Sequence, residues 1–127
     1  MQLNTKTPKE ILQNRVLEMA TQNYECAGMY HQNELIGICG IWYMTRHYIG
    51  KSSELDQVIV HPKLQSKGLG KKFIQWIIDY LKEKGVEACE LNAYIENTKS
   101  HVFYEREGFA KKGFHFVKIL REDKQFY

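Results

Sequence analysis

A strand, a short loop and a long amphipathic helix follow one another over residues 54–84, and this succession constrains the fold most strongly. The predicted strand, residues 54–60, is rich in apolar side chains and ends at His61-Pro62. The helix predicted over residues 68–84 is followed by Gly85, where a C-terminal cap belongs. Its apolar stripe consists of Leu69, Phe73, Trp76, Ile77 and Tyr80. A strand leading into a helix with one apolar face predicts a sheet covered by helices.

The other predicted elements alternate between helices and strands. A helix is predicted over residues 7–22, with Thr7, Pro8 and Glu10 forming a capped start. The remaining predictions are strands at 24–31, 35–43 and 86–94, a loop at 44–53, a helix at 97–107, and one or two strands within 109–120. The order α–β–β–β–α–β–α–β predicts a mixed sheet flanked by helices, an α+β (α/β-like) fold, in a single domain spanning residues 1–127.

Composition narrows the class of protein. The 127 residues suffice for one domain, and the hydrophobic and charged fractions, 43% and 26%, are those of a globular chain. We find neither a signal peptide nor an apolar run of the length that spans a membrane, so we expect a cytoplasmic protein. The lysines are dispersed among acidic residues, which argues against nucleic acid. The histidines lack metal-ligand spacing, so no metal is predicted, and the three cysteines are predicted to be buried, reduced thiols.

The segment that begins the long helix predicts phosphate binding. The first turn of a helix offers unpaired N–H groups and a positive dipole end, both of which attract phosphates. Gly68 and Gly70 let a ligand approach the backbone, and Lys67, Lys71 and Lys72 add positive charge. The structural alternative is a tight loop beside a solvated helix end. A P-loop is excluded because no G-x-x-x-x-G-K-[ST] occurs, and the third glycine of a Rossmann fingerprint is missing.

Two motifs carry a resemblance to a known family. Gln65-Ser66-Lys67-Gly68-Leu69-Gly70 is similar to the [QR]-x-x-G-x-[GA] signature of the GNAT acetyltransferases, and it lies between a strand and a helix as in that family. Residues 97–109 resemble the family's N-x-x-[AS]-x-x-[FL]-Y-x-x-x-G-F segment. The two motifs with the strand between them are far more specific than either alone, and the resemblance covers residues 35–117.

The resemblance implies a GNAT fold whose strands splay at the cofactor site, with acetyl-CoA as co-substrate. It implies direct attack by a primary amine in a ternary complex, and it suggests a homodimer. The identity of the acceptor stays open. The implied cofactor contacts are Val58, Ile59, Val60, Gln65, Ser66, Lys67, Gly68, Leu69, Gly70, Lys71, Asn97 and Tyr104. The alternative for Asn97 is a helix N-cap, which is compatible with cofactor contact.

Three side chains are candidates for the chemistry. Tyr104 resembles the tyrosine that hydrogen-bonds or protonates the leaving thiolate of coenzyme A; its alternative role is packing beside Phe103 and Phe109. Glu54 and Asp56 are two residues apart on one face of a strand. Glu54 resembles the glutamate that acts as general base in some family members, and Asp56 resembles an acidic residue found at its position in others. A water chain, with both carboxylates merely solvated, is the alternative.

Other residues are candidates for lining an acceptor pocket. They are Trp42, Tyr43, Arg46, His47, Tyr48 and the segment 114–116. The alternative for the aromatic members is packing in the core. Two rival functions also stay open: a non-catalytic coenzyme A-binding module or regulator, which would not need Tyr104 or a base, and, less well supported, a nucleic-acid-binding protein.

Overall fold

The computed structural model describes residues 7–125, apart from the side chains of Gln57, Gln65 and Ser66. Its helices are α1 (Lys9–Met19), α2 (Leu69–Glu83) and α3 (Thr98–Arg106), with a 3-10 helix at Pro62–Lys67. Its strands are β1 (Tyr24–His31), β2 (Glu34–Arg46), β3 (Gly50–Val60) and β4 (Ala88–Leu91). Within residues 7–125, no helix combines the length and apolar character needed to cross a bilayer.

The four strands form one mixed sheet in the order β1-β2-β3-β4, which confirms the predicted α+β class. β1, β2 and β3 are antiparallel neighbours, and β4 joins β3 in parallel after the crossover through α2. The turn between β1 and β2 places Gln32 and Asn33 at positive φ, 50° and 65°. A two-residue hairpin loop requires this backbone conformation, and its place agrees with the gap between the strands predicted at 24–31 and 35–43.

The loop predicted over residues 44–53 is wrong. β2 continues to Arg46 and β3 begins at Gly50, so that only a short turn separates them. The polar side chains of this segment suggested a loop, but the backbone ladder between Met44 and Ser52 forms regardless of side-chain polarity. Ser52 is buried, and its hydroxyl donates to the Met44 carbonyl at 3.4 Å. Backbone pairing and this hydrogen bond replace the lost contacts with water.

α2 covers one face of the sheet and builds the core with it. The buried cluster consists of Cys39, Ile41, Leu55, Val60, Phe73, Ile74, Ile77, Leu81 and Tyr104. Trp76, predicted in the buried stripe, is instead 55% exposed and stacks on Tyr80 with 5.4 Å between ring centroids. The buried face of α2 is therefore rotated towards Ile74 and Leu81, leaving Trp76 at its edge.

Several predicted termini and burials also need correction. α1 begins at Lys9, with Pro8 as its cap and no side-chain capping bond, so the capping box of Thr7 and Glu10 does not form. Cys26 is exposed, although it was predicted to be buried; all three cysteines are free thiols.

The strands predicted within residues 109–120 are absent, and β4 ends at Leu91, short of the predicted residue 94. Residues 92–94 leave the sheet, and the segment 109–120 has no strand partner among residues 7–125 despite its apolar residues. β propensity is realised only when a neighbouring strand is present to pair with.

A carboxylate on β1 ties α2 to the sheet and gives a pH prediction. Glu25 accepts hydrogen bonds from Lys84 at 2.6 Å and Tyr80 at 2.8 Å. The hydrogen bond from Lys84 is the main cause that lowers the pKa of Glu25 from 4.5 to about 2. The stabilisation is therefore present above pH 4.5 and is lost as the pH falls towards 2. Because the pair is partly exposed, Glu25→Gln should cost no more than about 1 kcal/mol at pH 7.

The measurement is urea unfolding of wild type and Glu25→Gln at pH 7 and at pH 3. The difference in the free energy of unfolding should shrink at the lower pH. A difference that stays constant across this range would show that Glu25 contributes through packing and not through its charge.

Candidate active site

The sheet opens between β3 and the chain that follows β4. The parallel pairing begins at Ser52 with Ala88 and stops at Leu55 with Leu91, whereas β3 continues to Val60. Beyond Leu55 the edge of β3 therefore faces a wedge-shaped opening and not a β4 partner. Splayed strands at this point are what the family resemblance implied.

A β-bulge lies at the mouth of this opening. Gly40 pairs with Asp56 and Ile38 with Ile59, so residues 57 and 58 of β3 together oppose Cys39 of β2. A bulge bends the strand and redirects its peptide groups, and such irregularities are frequent beside active sites. Val58, Ile59 and Val60 thus lie on the stretch of β3 that borders the opening, where the sequence predicted backbone contacts with a cofactor.

The loop after β3 leaves the start of α2 free for a ligand. Gly68 is the N-cap of α2 with φ of 73°, a left-handed conformation that favours glycine, and none of the side chains that the structure describes caps the helix. A Cβ at Gly68 would meet nothing within 4 Å, so the space beside this first position of the helix is open. Gly70 differs: a Cβ there would lie 3.6 Å from the ring of Phe103, so this glycine faces α3. Lys67 and Lys71 are exposed and add positive charge at the helix start.

α3 borders the same region and carries two predicted site residues. Asn97 caps the helix, its side-chain oxygen accepting from the Ser100 N–H at 3.2 Å, so the predicted N-cap role is confirmed. Tyr104 is 7% exposed, and its ring packs edge-on against Phe103 and Phe109 with centroid separations of 5.3 and 5.8 Å. Burial raises the pKa of Tyr104 from 10 to about 12, so the phenol stays protonated at neutral pH.

An open depression of about 300 Å³ adjoins the exposed face of α3. Its lining consists of Thr98, Lys99, Val102, Phe103 and Arg106. Because Phe103 lies beside Gly70, the depression adjoins the N-terminus of α2. Lys99 and Arg106 give this surface positive charge, which suits an anionic group in addition to one at the start of α2. The sequence motifs did not indicate this surface.

The two candidate bases lie on the face of the sheet that points away from α2. Glu54 pairs in register with Trp42 on one side and Glu90 on the other, whereas Leu55 points into the core. Glu54 accepts a hydrogen bond from Asn92 Nδ2 at 2.9 Å, and Asp56 accepts one from Trp42 Nε1 at 3.4 Å. Tyr104 belongs to the core on the opposite face, so the opening beside β3 lies between the proposed acid and the proposed bases.

The predicted acceptor residues are distributed over several places. Trp42 and Arg46 share the face of Glu54, and Arg46 forms an ion pair with Glu90 at 2.8 Å. Tyr48 donates to the same Glu90 at 3.3 Å, and His47 packs edge-on against Tyr48. Tyr43 lies on the opposite face, where the Lys84 ammonium is 4.9 Å from its ring centroid.

The remaining candidates lie outside the site. Phe114 and Phe116 are 87% and 90% exposed and are not brought to the opening. His61 accepts from the Lys63 N–H at 3.2 Å and caps the 3-10 helix. Among residues 7–125, no cluster of three His, Cys, Asp or Glu side chains could hold a metal ion. Asn92, which holds Glu54, was missed because a single asparagine after a strand carries no sequence signature.

Comparison with known proteins agrees with this architecture. Curated relatives include an aminoalkylphosphonate N-acetyltransferase of Salmonella typhimurium, 28% identical over 58% of this chain and 48% of that protein. A glucosamine 6-phosphate N-acetyltransferase of Arabidopsis thaliana is 32% identical over 56% of this chain and 46% of that protein. The chain thus spans about half the length of these curated relatives.

Solved structures share the fold. AAC(6')-Iy in complex with the bisubstrate analogue CoA-S-monomethyl-acetylneamine superposes with a TM-score of 0.79 at 17% identity, covering 94% of this chain and 85% of that one. An aminoglycoside acetyltransferase from an uncultured soil metagenomic sample gives 0.74 at 21% identity, over 95% and 80%. The sequence model of the acetyltransferase (GNAT) family matches residues 3–109. This chain therefore belongs to the acetyltransferase (GNAT) family.

Proposed function

We propose that this chain binds acetyl-CoA and transfers its acetyl group to a primary amine by direct attack in a ternary complex. The observation that carries the proposal is the splay of β3 from β4 directly before an uncapped helix start. Membership of the acetyltransferase (GNAT) family supports acetyl-CoA as the co-substrate. The relatives named above act on different amines, and none of them specifies the acceptor here.

The coenzyme would extend from the start of α2 into the opening beside β3. The proposed pyrophosphate contacts are the backbone groups of residues 65–71, supported by the helix dipole and by Lys67 and Lys71. The depression on α3, with Lys99 and Arg106, is suited to the phosphate on the ribose. The peptide groups of residues 58–60 would bind the pantetheine arm in the manner of a missing strand.

The reaction then needs two proton movements. The amine nitrogen attacks the thioester carbonyl carbon, and the carbon–sulfur bond breaks with its electron pair leaving on sulfur. The amine loses a proton to Glu54, to Asp56 or to water, and the thiolate accepts a hydrogen bond or a proton from Tyr104. With its pKa raised to about 12, Tyr104 is a weak acid, which favours hydrogen-bond donation over full proton transfer. Holding amine and thioester together would supply most of the acceleration.

Cofactor binding is tested by thermal unfolding of Gly68→Val. In wild type, acetyl-CoA at about 100 times its Kd should stabilise the fold by about 2.7 kcal/mol, which shifts Tm upward by several degrees. A valine at Gly68 would fill open space at the start of α2 and would disfavour the left-handed backbone of the loop, so the shift should disappear.

The matched control is Gly85→Val. Gly85 also has a positive φ, 80°, and open space around it, but it lies at the opposite end of α2. Both variants suffer the same backbone strain. Gly85→Val should therefore lose stability but keep its acetyl-CoA shift. Equal acetyl-CoA shifts in the two variants would disprove the proposal that residues 65–71 bind the pyrophosphate.

The rival function, a non-catalytic coenzyme A-binding module, predicts the same thermal shifts. It differs in predicting no acetyl transfer to any amine. The discriminating measurement is acetyl-CoA-dependent release of thiol over a panel of amines. Release that requires an amine supports the enzyme, and binding without release over the whole panel supports the module.

A further inference from the structure

The face of the sheet that points away from α2 carries two aromatic rings side by side. Tyr24 on β1 pairs in register with Trp42 on β2, and their ring centroids lie 4.8 Å apart with 54° between the ring planes. Both side chains are partly exposed. Tyr24 therefore extends the predicted acceptor residue Trp42 into a continuous apolar surface, and we call these two rings the aromatic shelf.

Gly40 allows the aromatic shelf to reach the bulge of β3. It pairs with Asp56, the residue directly before the bulge. A Cβ at Gly40 would lie 2.6 Å from the Tyr24 hydroxyl oxygen and 2.9 Å from Tyr24 Cε1, so the ring lies directly over this glycine. Burial raises the pKa of Tyr24 from 10 to about 12, and the nearby Asp56 carboxylate adds to the shift. The aromatic shelf therefore ends at Asp56, beside the opening.

The carboxylates beside the aromatic shelf give this face negative charge. Asp56 accepts a hydrogen bond from Trp42 Nε1 at 3.4 Å, and Glu54 accepts one from a side-chain amide at 2.9 Å. Both donors are neutral, so they do not cancel the charge of either carboxylate. Arg46, a cation on the same face, is paired with Glu90 at 2.8 Å, which balances its charge. An ammonium group is attracted to such a surface, whereas a phosphate or carboxylate group is repelled.

We propose that the aromatic shelf binds the acceptor of the proposed acetyl transfer, on whose occurrence this assignment rests. The acceptor is then a primary amine with an apolar body and no anionic group. Its body would lie on the rings of Tyr24 and Trp42, and its nitrogen would pass Asp56 to reach the thioester in the opening. A cation within about 6 Å of an aromatic ring gains further attraction from the face of the ring.

The first test compares two acceptors that differ in charge alone. The amines para-aminomethylbenzamide and para-aminomethylbenzoate have the same ring and the same amine, but only the benzoate carries an anionic group. The value of kcat/KM for the benzamide should be higher by about 10-fold, because like charges placed side by side are costly. If both are acetylated and the benzoate is the equal or better acceptor, this assignment is overturned while the acetyl transfer itself is established.

The second test asks whether the aromatic shelf contacts the amine. Isothermal titration calorimetry of benzylamine into protein saturated with coenzyme A measures binding without transfer. Tyr24→Leu removes the ring and should raise the Kd for benzylamine about 10-fold, whereas Tyr24→Phe keeps the ring and should change it little. The matched control is Tyr30→Leu, the same substitution at an exposed position of the same strand, which should bind benzylamine as wild type does.

Gly40→Ala is a second variant, which displaces the Tyr24 ring without removing it. The added methyl group would meet the Tyr24 hydroxyl, so the Kd for benzylamine should rise as in Tyr24→Leu. The acetyl-CoA shift in Tm should persist in both variants, which establishes that they are folded and hold the coenzyme. Unchanged benzylamine binding in both variants would overturn the role of the aromatic shelf alone. A wild type that binds coenzyme A but no amine would overturn the proposed acetyl transfer as well.

Discussion

Replacing Tyr104 by Phe should lower kcat about 100-fold, the scale of a lost transition-state donor, with little change in KM for acetyl-CoA. The ring of Tyr104 packs against Phe103 and Phe109, and the substitution keeps those contacts. The leaving thiolate gains full charge only as the carbon–sulfur bond breaks. A hydroxyl that stabilises it therefore acts on kcat and not on ground-state binding.

The measurement is steady-state kinetics with an acceptor found by the thiol-release panel. Tyr80→Phe is the matched control, because it removes a hydroxyl that binds Glu25 at the far end of α2 and should affect stability alone. With the pKa of Tyr104 at about 12, wild-type activity should show no decline from its ionisation up to pH 10. Wild-type kcat in Tyr104→Phe would make Tyr104 a packing residue and strengthen the rival, non-catalytic function.

The sequence predicted those parts of the fold that are specified locally. The helix predicted at 68–84 is α2, and Gly85 takes a positive φ after it. The hairpin turn at Asn33 and the cap at Asn97 also depend on a few adjacent residues. The wrong strand and loop predictions, at 44–53 and 109–120, depend on whether a segment finds a strand to pair with. The composition of residues 44–53 and 109–120 allows either a strand or a loop. Which of the two forms depends on whether a neighbouring strand is available, and no local sequence pattern indicates that.

In the candidate site, too, the local features were predicted from the sequence and the contacts between distant residues were not. The motif that ends at Gly70 indicated the helix start correctly, because Gly68 acts through local backbone conformation. The hydrogen bond from Asn92 to Glu54 spans 38 positions in sequence, and the proximity of Phe103 to Gly70 joins two helices. Such contacts arise from the crossover of α2 and the splay of β3, so they become visible only in three dimensions. Whether the predicted residues perform their chemical roles stays a prediction.

The two candidate bases offer matched, nearly isosteric substitutions. In Glu54→Gln the side-chain oxygen can still accept from Asn92, and in Asp56→Asn it can still accept from Trp42. Each variant therefore removes a negative charge and keeps the local hydrogen bond. Glu54 lies where β3 still pairs with β4, whereas Asp56 directly precedes the bulge at the opening. The family resemblance supports both carboxylates, and the position beside the bulge additionally supports Asp56.

Neutralising the true base should lower kcat/KM near pH 7 by about 100-fold to 10,000-fold, the usual contribution of general base catalysis. An alkylamine acceptor, with a pKa near 10.4, is almost wholly protonated at pH 7 and must lose its proton before it attacks. Raising the pH supplies free amine without the base, so the affected variant should recover towards wild type between pH 7 and pH 10. The measurement is kcat/KM against pH for both variants, and each serves as the control for the other. If both retain the wild-type profile, water removes the proton and neither carboxylate is the base.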